Sequence, residues 1–414
     1  MSFIKNFPKL SQNPKEAFSQ IRQILIDNGF EYNNRVFMLG DVVQSKKGNC
    51  LGLSLLFGAV LAEQGFDVSY ELAVNPQDAH YRNDIEQFNR AMRGDFFSYD
   101  ELPDLPNEKA DLPQGWFTPL EHPILIIDGE HYETTSLIDD DNIDGVHSYQ
   151  SESRREITYQ NLLGSSLTAK AKTTLQNGET NLQQAIEFVR EGLELWPSDR
   201  QSWMLLYDLA RHNFDDVLVE KSKEEFMKIG GDDSLYNFSL YEITGDEKYL
   251  DRSLYIYPAF IEAFIRRNIK LPLDSEDAKR EARFNFTVAA VCVANSSEID
   301  LLSFYISHGK IISEAFGSEY AADLLYDLEA DNHCPIDYML TMYQIKKDIG
   351  FLIQAFELGV LENSTPMDCL QFCKLIIENK RVVDVEIVIG CRNKIMELEN
   401  KFSDSELFKK ERGK

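Results

Sequence analysis

Between Gly48-Asn49-Cys50 and Gln64-Gly65 lies a run, Leu51 to Ala62, that is apolar all the way round: Leu51, Leu53, Leu55, Leu56, Phe57, Val60 and Leu61 leave no polar helix face. Such a helix is satisfied only in the middle of a folded domain or in a bilayer. Crossing a bilayer takes roughly 20 apolar residues, and this stretch is shorter and interrupted by Gly52, Ser54 and Gly58. No membrane span is expected. The chain must instead build structure on every side of the helix, with Cys50 in its first turn.

Ahead of it, Pro14 to Asn28 carries Phe18, Ile21, Ile24, Leu25 and Ile26 at helical spacing and stops at Asn28-Gly29, which predicts a short leading helix. Behind it, Val68, Tyr70, Leu72 and Val74 alternate with polar residues, a strand pattern over Phe66 to Val74. The polar stretch that follows, with Pro76, Pro103, Pro106, Pro113 and Pro119, reads as an insertion or lid. Pro123 to Ile127 and His131 to Thr135 then flank Asp128-Gly129, a strong signal for a hairpin with a two-residue turn. Helix before strands predicts an α+β domain over residues 1–155.

From about Ile157 helical periodicity takes over, with breaks near Asn177-Gly178, Gly230-Gly231, Gly245, Asn295 to Ser297 and Asn363 to Pro366. Leu193-Glu194-Leu195-Trp196-Pro197 is echoed by Leu254-Tyr255-Ile256-Tyr257-Pro258, each between an amphipathic helix and another containing aromatic residues. That echo predicts stacked helix pairs over 156–270, followed by a divergent α-helical domain over 271–414. Trp196, Trp203, Tyr207, Tyr255, Tyr257 and Phe260 are expected in the core of those pairs rather than in a peptide groove.

A chain of 414 residues with 43% hydrophobic content can fill two or three domains. A formal net charge of -27 disfavours nucleic acid, whose phosphates are bound by neutralising cations; the charge is expected to keep the protein soluble. Six scattered cysteines do not make a disulfide framework. Met1 to Leu10 has Lys5, Pro8 and Lys9 but no apolar core, so a secretory signal is not expected and the cytoplasm is the expected compartment.

A cysteine nucleophile needs its thiolate, which a helix N-terminus and nearby cations favour. Cys50 has the first, and Lys46 and Lys47 supply the second if they lie near it. It also needs a base and a group that orients the base. If Asp128-Gly129 is the two-residue turn, Ile127 pairs with Glu130, and His122 and Glu133 become diagonal neighbours on one face, about 7–8 Å apart at the backbone. His131 shares that face and competes as base. His80 is a third candidate. Gln44, six residues before Cys50, is placed to donate to an oxyanion beside the Cys50 N–H.

The segment Lys47-Gly48-Asn49-Cys50-Leu51-Gly52-Leu53-Ser54-Leu55-Leu56, continuing to Glu63-Gln64-Gly65-Phe66-Asp67-Val68, resembles the nucleophile helix and following strand of transglutaminase-like cysteine peptidases. His122-Pro123-Ile124 through Asp128-Gly129 to Tyr132-Glu133-Thr134-Thr135 is similar to that family's histidine and acidic strands, although Pro123 stands where a small or aliphatic residue is usual. The resemblance spans roughly residues 35–140. It implies a papain-like α+β fold with Cys50 as nucleophile, His122 as base, Glu133 as the residue orienting it where many members have Asp, and Gln44 at the oxyanion. Ala185-Ile186-Glu187-Phe188 to Pro197-Ser198-Asp199, then Trp203-Met204-Leu205-Leu206, resembles one tetratricopeptide repeat.

Other patterns carry less. Asp140, Asn142, Asp144 and Gly145 match a calcium loop at its first positions but not at its twelfth, Ser151. Cys369 and Cys373 lie four apart with no histidine near them in sequence and read as buried structural thiols. His333-Cys334 before Pro335 reads as a loop or cap. No phosphate-binding glycine pattern occurs, and no cofactor or metal is expected. The expected function is acyl transfer from amide bonds of protein or peptide substrates (protease, deamidase or transamidase) through a thioester, with the helical repeats recruiting a protein partner. The alternative is a non-catalytic protein-interaction module with a degenerate transglutaminase-like domain.

Overall fold

The computed structural model describes residues 2–33, 36–74, 79–108, 121–134, 153–176, 182–296, 300–328 and 335–413. Among these, helices predominate, accompanied by a four-stranded sheet and a two-stranded parallel pair, Glu31–Tyr32 with Lys47–Gly48. The chain forms two compact units, residues 1–77, 120–209 and 218–230, and residues 78–119, 210–217 and 231–414. Both are discontinuous in sequence, and the division runs differently from the boundaries expected at 155/156 and 270/271.

In the first unit, α1 (Ser2–Lys5), α2 (Pro14–Asp27), β1 (Glu31–Tyr32), α3 (Leu39–Ser45), β2 (Lys47–Gly48), α4 (Cys50–Glu63) and β3 (Val68–Val74) follow in order. After α5 (Ala79–Met92), which belongs to the second unit, come β4 (Glu121–Ile127), β5 (Glu130–Tyr132), β6 (Ser153–Ile157), α6 (Tyr159–Gln176), α7 (Leu182–Leu195) and α8 (Arg200–His212). The all-apolar segment is α4, and every residue from Leu51 to Gly58 is buried. It packs against β3 and β4 on one side and against α1, α2, α3 and α6 elsewhere. Phe18 of α2 lies 4.8 Å from the Phe57 ring and 4.9 Å from the Tyr132 ring, joining α4 to the hairpin.

The sheet order is β5-β4-β3-β6, antiparallel throughout. Asp128 (φ 50°) and Gly129 (φ 85°) both have positive φ, as a type I′ turn requires, and Ile127 pairs with Glu130. The expected two-residue register is therefore the observed one. Strand β6 is an edge whose alternating polar residues, Ser153, Arg154, Arg155 and Glu156, hide it in the sequence. It carries the sheet past residue 155, and α6 continues onto α4.

α6 and α7 cross so closely that a Cβ on Gly164 would sit 2.7 Å from the Gly192 carbonyl oxygen, and one on Gly192 2.8 Å from that of Gly164. Mid-helix alanine normally gains about 1 kcal/mol over glycine. Here the neighbour is backbone and cannot rotate away, so overpacking at about 1–3 kcal/mol wins. Gly192→Ala is expected to lower the urea or thermal unfolding midpoint; a midpoint held or raised would mean that the two helices separate without cost.

In the second unit, helices of the chain's latter half enclose Phe264, Phe286, Tyr305 and Tyr338, and Phe88, Phe97 and Leu105 join them. The described part of the presumed insertion or lid, residues 79–108, is thus core structure of the helical unit. Tyr257 Oη donates to buried Asp84 at 2.8 Å, Tyr305 Oη donates to the Pro106 carbonyl at 2.7 Å, and Leu105 N–H donates to Tyr320 Oη at 2.6 Å. Apolar positions spaced among prolines and acids gave no clue that these side chains seat in a helical core.

The sequence echo has a structural counterpart. Trp196 N–H donates to Gly192 O and Asp199 N–H to Trp196 O; 61 residues on, Tyr257 N–H donates to Ser253 O and Phe260 N–H to Tyr257 O. Trp196, Trp203, Tyr207, Tyr257 and Phe260 are buried, whereas Tyr255 is 79% exposed and departs from the core expectation.

Candidate functional site

Cys50 opens α4. Asn49 caps the helix, its side chain accepting from Gly52 N–H at 3.0 Å, and Asn49 N–H donates to Val36 O at 2.8 Å. The first amides of a helix have no acceptor within it, so the N–H groups of Cys50 and Leu51 point out of the helix end beside the thiol. Cys50 is half-buried, whereas Cys292, Cys369, Cys373 and Cys391 are buried.

The hairpin supplies the partners. His122, second residue of β4, and Glu133, just past β5, are diagonal neighbours in the observed register, and His122 Nε2 lies 2.6 Å from Glu133 Oε2. Their side chains are only 11% and 19% exposed, so the contact is shielded from water. Burial by itself would lower the His122 pKa. The Glu133 charge, hydrogen bonds with the Cys50 side chain and with Glu133, and the charge of Cys50 outweigh it and hold the imidazole well above its usual range. The arrangement is a thiol, an imidazole and a carboxylate in one cluster, the imidazole bonded to the carboxylate and beside the thiol.

Thr134 was not singled out in the sequence. Successive strand residues point to opposite sides; where Glu133 turns to His122, Thr134 turns to α4. Its Oγ1 lies 2.8 Å from Ser54 Oγ and donates to the Cys50 carbonyl at 3.4 Å. Both hydroxyls are buried. One turn of α4 and the strand bearing Glu133 are thereby pinned together. The only signal was Ser54 inside an otherwise apolar helix, since a buried hydroxyl requires a partner.

Other candidates fall elsewhere. His131 Nε2 lies 3.3 Å from Glu71 Oε2, which also faces Arg154 at 3.9 Å, so its carboxylate partner is Glu71 rather than Glu133. Gln44 is exposed in the last turn of α3. Val42 packs against the start of α4 near Gly48 and Gly52, and a residue two positions on is turned about 200° away from that face. Lys46 Nζ donates to the Asn28 carbonyl at 2.8 Å and Lys47 lies 3.8 Å from Glu31, so neither ammonium is aimed at the thiol. The His80 side chain, the calcium-like stretch Asp140 to Ser151 and His333-Cys334 lie outside the described residues.

Cys369 and Cys373 are buried, as expected, with Cys369 Sγ directed at backbone carbonyls. Cys373 shares a buried apolar cluster with Cys391, from the next long helix. Among the described residues no group of three or more His, Cys, Asp or Glu side chains is disposed to hold a metal ion, and no helix is long and apolar enough to cross a membrane. No family model matches the chain, and none of the curated proteins matches it.

Proposed function

We propose that the first unit is a transglutaminase-like cysteine hydrolase or acyltransferase acting on amide bonds of protein or peptide substrates, and that the helical region recruits a protein partner. What carries the reading is His122, hydrogen-bonded to Glu133 at 2.6 Å and set close enough to the Cys50 side chain for the two to influence each other's charge. A buried imidazole serving only the fold has no need of both a half-exposed thiol and a carboxylate.

In this mechanism His122 takes the Cys50 proton, and the sulfur attacks the carbonyl carbon. The carbonyl electron pair moves to oxygen and is met by the Cys50 N–H at the start of α4. Collapse breaks the C–N bond, and the amine leaves with the proton from His122. Water or a primary amine then attacks the thioester, returns its proton through His122, and frees Cys50. Water gives proteolysis or deamidation; an amine gives transamidation. Glu133 orients the imidazole and stabilises its charged form.

The test is mass spectrometry of the folded protein after iodoacetamide, from pH 5 to 9, beside Cys50→Ala, His122→Ala and His131→Ala. The expected result is preferential modification of Cys50, slowed by His122→Ala and indifferent to His131→Ala. Modification of Cys50 at a rate that ignores His122 would overturn the enzyme reading and leave the non-catalytic interaction module.

A further inference from the structure

The residue before the proposed base faces the other way and is held unusually firmly. Glu121 is the first residue of β4, and its carboxylate, 4% exposed, accepts from Arg155 of β6 at 2.7 Å and from Arg200 of α8 at 3.2 Å. Arg200 is itself 6% exposed. Arg155 stacks over the Trp196 ring at 5.2 Å and donates to the Ser198 carbonyl at 3.4 Å. Asp199 caps α8 through Gln201 N–H at 3.1 Å and accepts from Ser202, whose hydroxyl lies 2.5 Å from Thr168 Oγ1 of α6. Burial first, and then the Glu121 charge, push the Asp199 carboxyl up to about 6 against the pull of Ser202, Arg155 and Gln201. Glu121 and Arg200 are nearly sealed from water and Arg155 is partly so, and the charges feel one another.

We infer that Glu121, gripped by Arg155 and Arg200, is a positioning residue: it anchors the start of β4 to the edge strand and to the α7–α8 turn, so that His122 meets Cys50 and Glu133. The inference rests on the proposed site. Burying three charges is no route to stability, because apolar residues of the same volume do as well or better. Two guanidinium donors from different elements, both converging on Glu121 Oε1, fix its direction, which an apolar contact does not. Alternation along the strand supplies the rest: with Glu121 locked to one side, His122 must project to the other. The turn that resembles a tetratricopeptide motif thereby becomes part of the scaffold of the site.

The experiment is an NMR titration of the His122 imidazole, with Cys50 alkylation rates, in wild type, Arg200→Met, Arg200→Lys, Glu121→Ala and Glu121→Gln, each checked for folding by circular dichroism. If the anchor positions His122, Arg200→Met and Glu121→Ala release it from Glu133. The His122 midpoint then falls, and Cys50 alkylation slows by about tenfold or more. Glu121→Gln keeps an oxygen acceptor and should stay near wild type. A purely through-space effect has the opposite sign for Arg200→Met, since removing a nearby cation raises a neighbour's pKa. A His122 midpoint at or above that of wild type in folded Arg200→Met and Glu121→Ala overturns the inference. Should Arg200→Met not fold, Arg200→Lys, with the charge kept and the guanidinium donor lost, must show the same fall to a lesser degree. Failure of the enzyme reading looks different: alkylation that ignores His122→Ala while the NMR midpoint still responds to Arg200.

Discussion

Replacing His122 by alanine is expected to cut turnover of any amide or ester substrate by about 10²–10⁴-fold, and to slow Cys50 alkylation at neutral pH, while the protein stays folded. The imidazole is bonded to the carboxylate and lies beside the thiol, so in the proposed mechanism its loss removes proton transfer from each half-reaction. Stability should suffer less. His122 is at the start of β4, and the packing of the sheet on α4 rests on the other strand face, through Leu72, Leu125, Ile127 and Tyr132. His131→Ala is the matched control. It removes an imidazole paired with Glu71 at 3.3 Å on the same sheet, and turnover should hold within about twofold. Equal losses from both histidines would mean that the sheet face acts as a whole and that His122 has no special place in the chemistry.

The sequence displayed this pairing because its register was written locally. Asp128-Gly129 fixes a two-residue turn, and a two-residue turn fixes which residues of the strands face each other, so His122 and Glu133 followed by counting. The α4 helix was legible for an equally simple reason, an absence of any polar face. What was hidden depends on contacts between distant segments. Asp84, Leu105 and Pro106 are separated by 173, 215 and 199 positions from Tyr257, Tyr320 and Tyr305, which hold them, and no periodicity announces such a partner. Strand β6 has too few apolar residues to look like a strand, because an edge strand meets solvent and, at Arg155, a carboxylate rather than a core. Gln44 is a different case: a six-residue spacing before Cys50 does not fix the direction of a side chain on the last turn of a short helix, and this one is exposed.

Glu133→Gln should show how the site depends on pH, best in a Cys50→Ala background where the thiol no longer contributes. Glutamine keeps an oxygen to accept from the imidazole but removes the charge. Desolvation then prevails, and the His122 midpoint should fall on an NMR titration. The stability consequence has a definite sign. With Glu133 present, His122 in the folded protein is held above its unfolded value, so the ion pair stabilises fully below the ordinary histidine pKa of about 6.5, and that contribution disappears as pH rises through the folded midpoint. A charge-assisted hydrogen bond shielded as this one is contributes roughly 1.5–3 kcal/mol. Urea unfolding of the two proteins should differ by about that much near pH 6 and converge toward the alkaline end of the range. A gap that widened with rising pH would put the proton on the wrong partner. With Cys50 restored, the same substitution should cut turnover by about 10²-fold or more, because an imidazole without its carboxylate loses both its orientation and the stabilisation of its charged form.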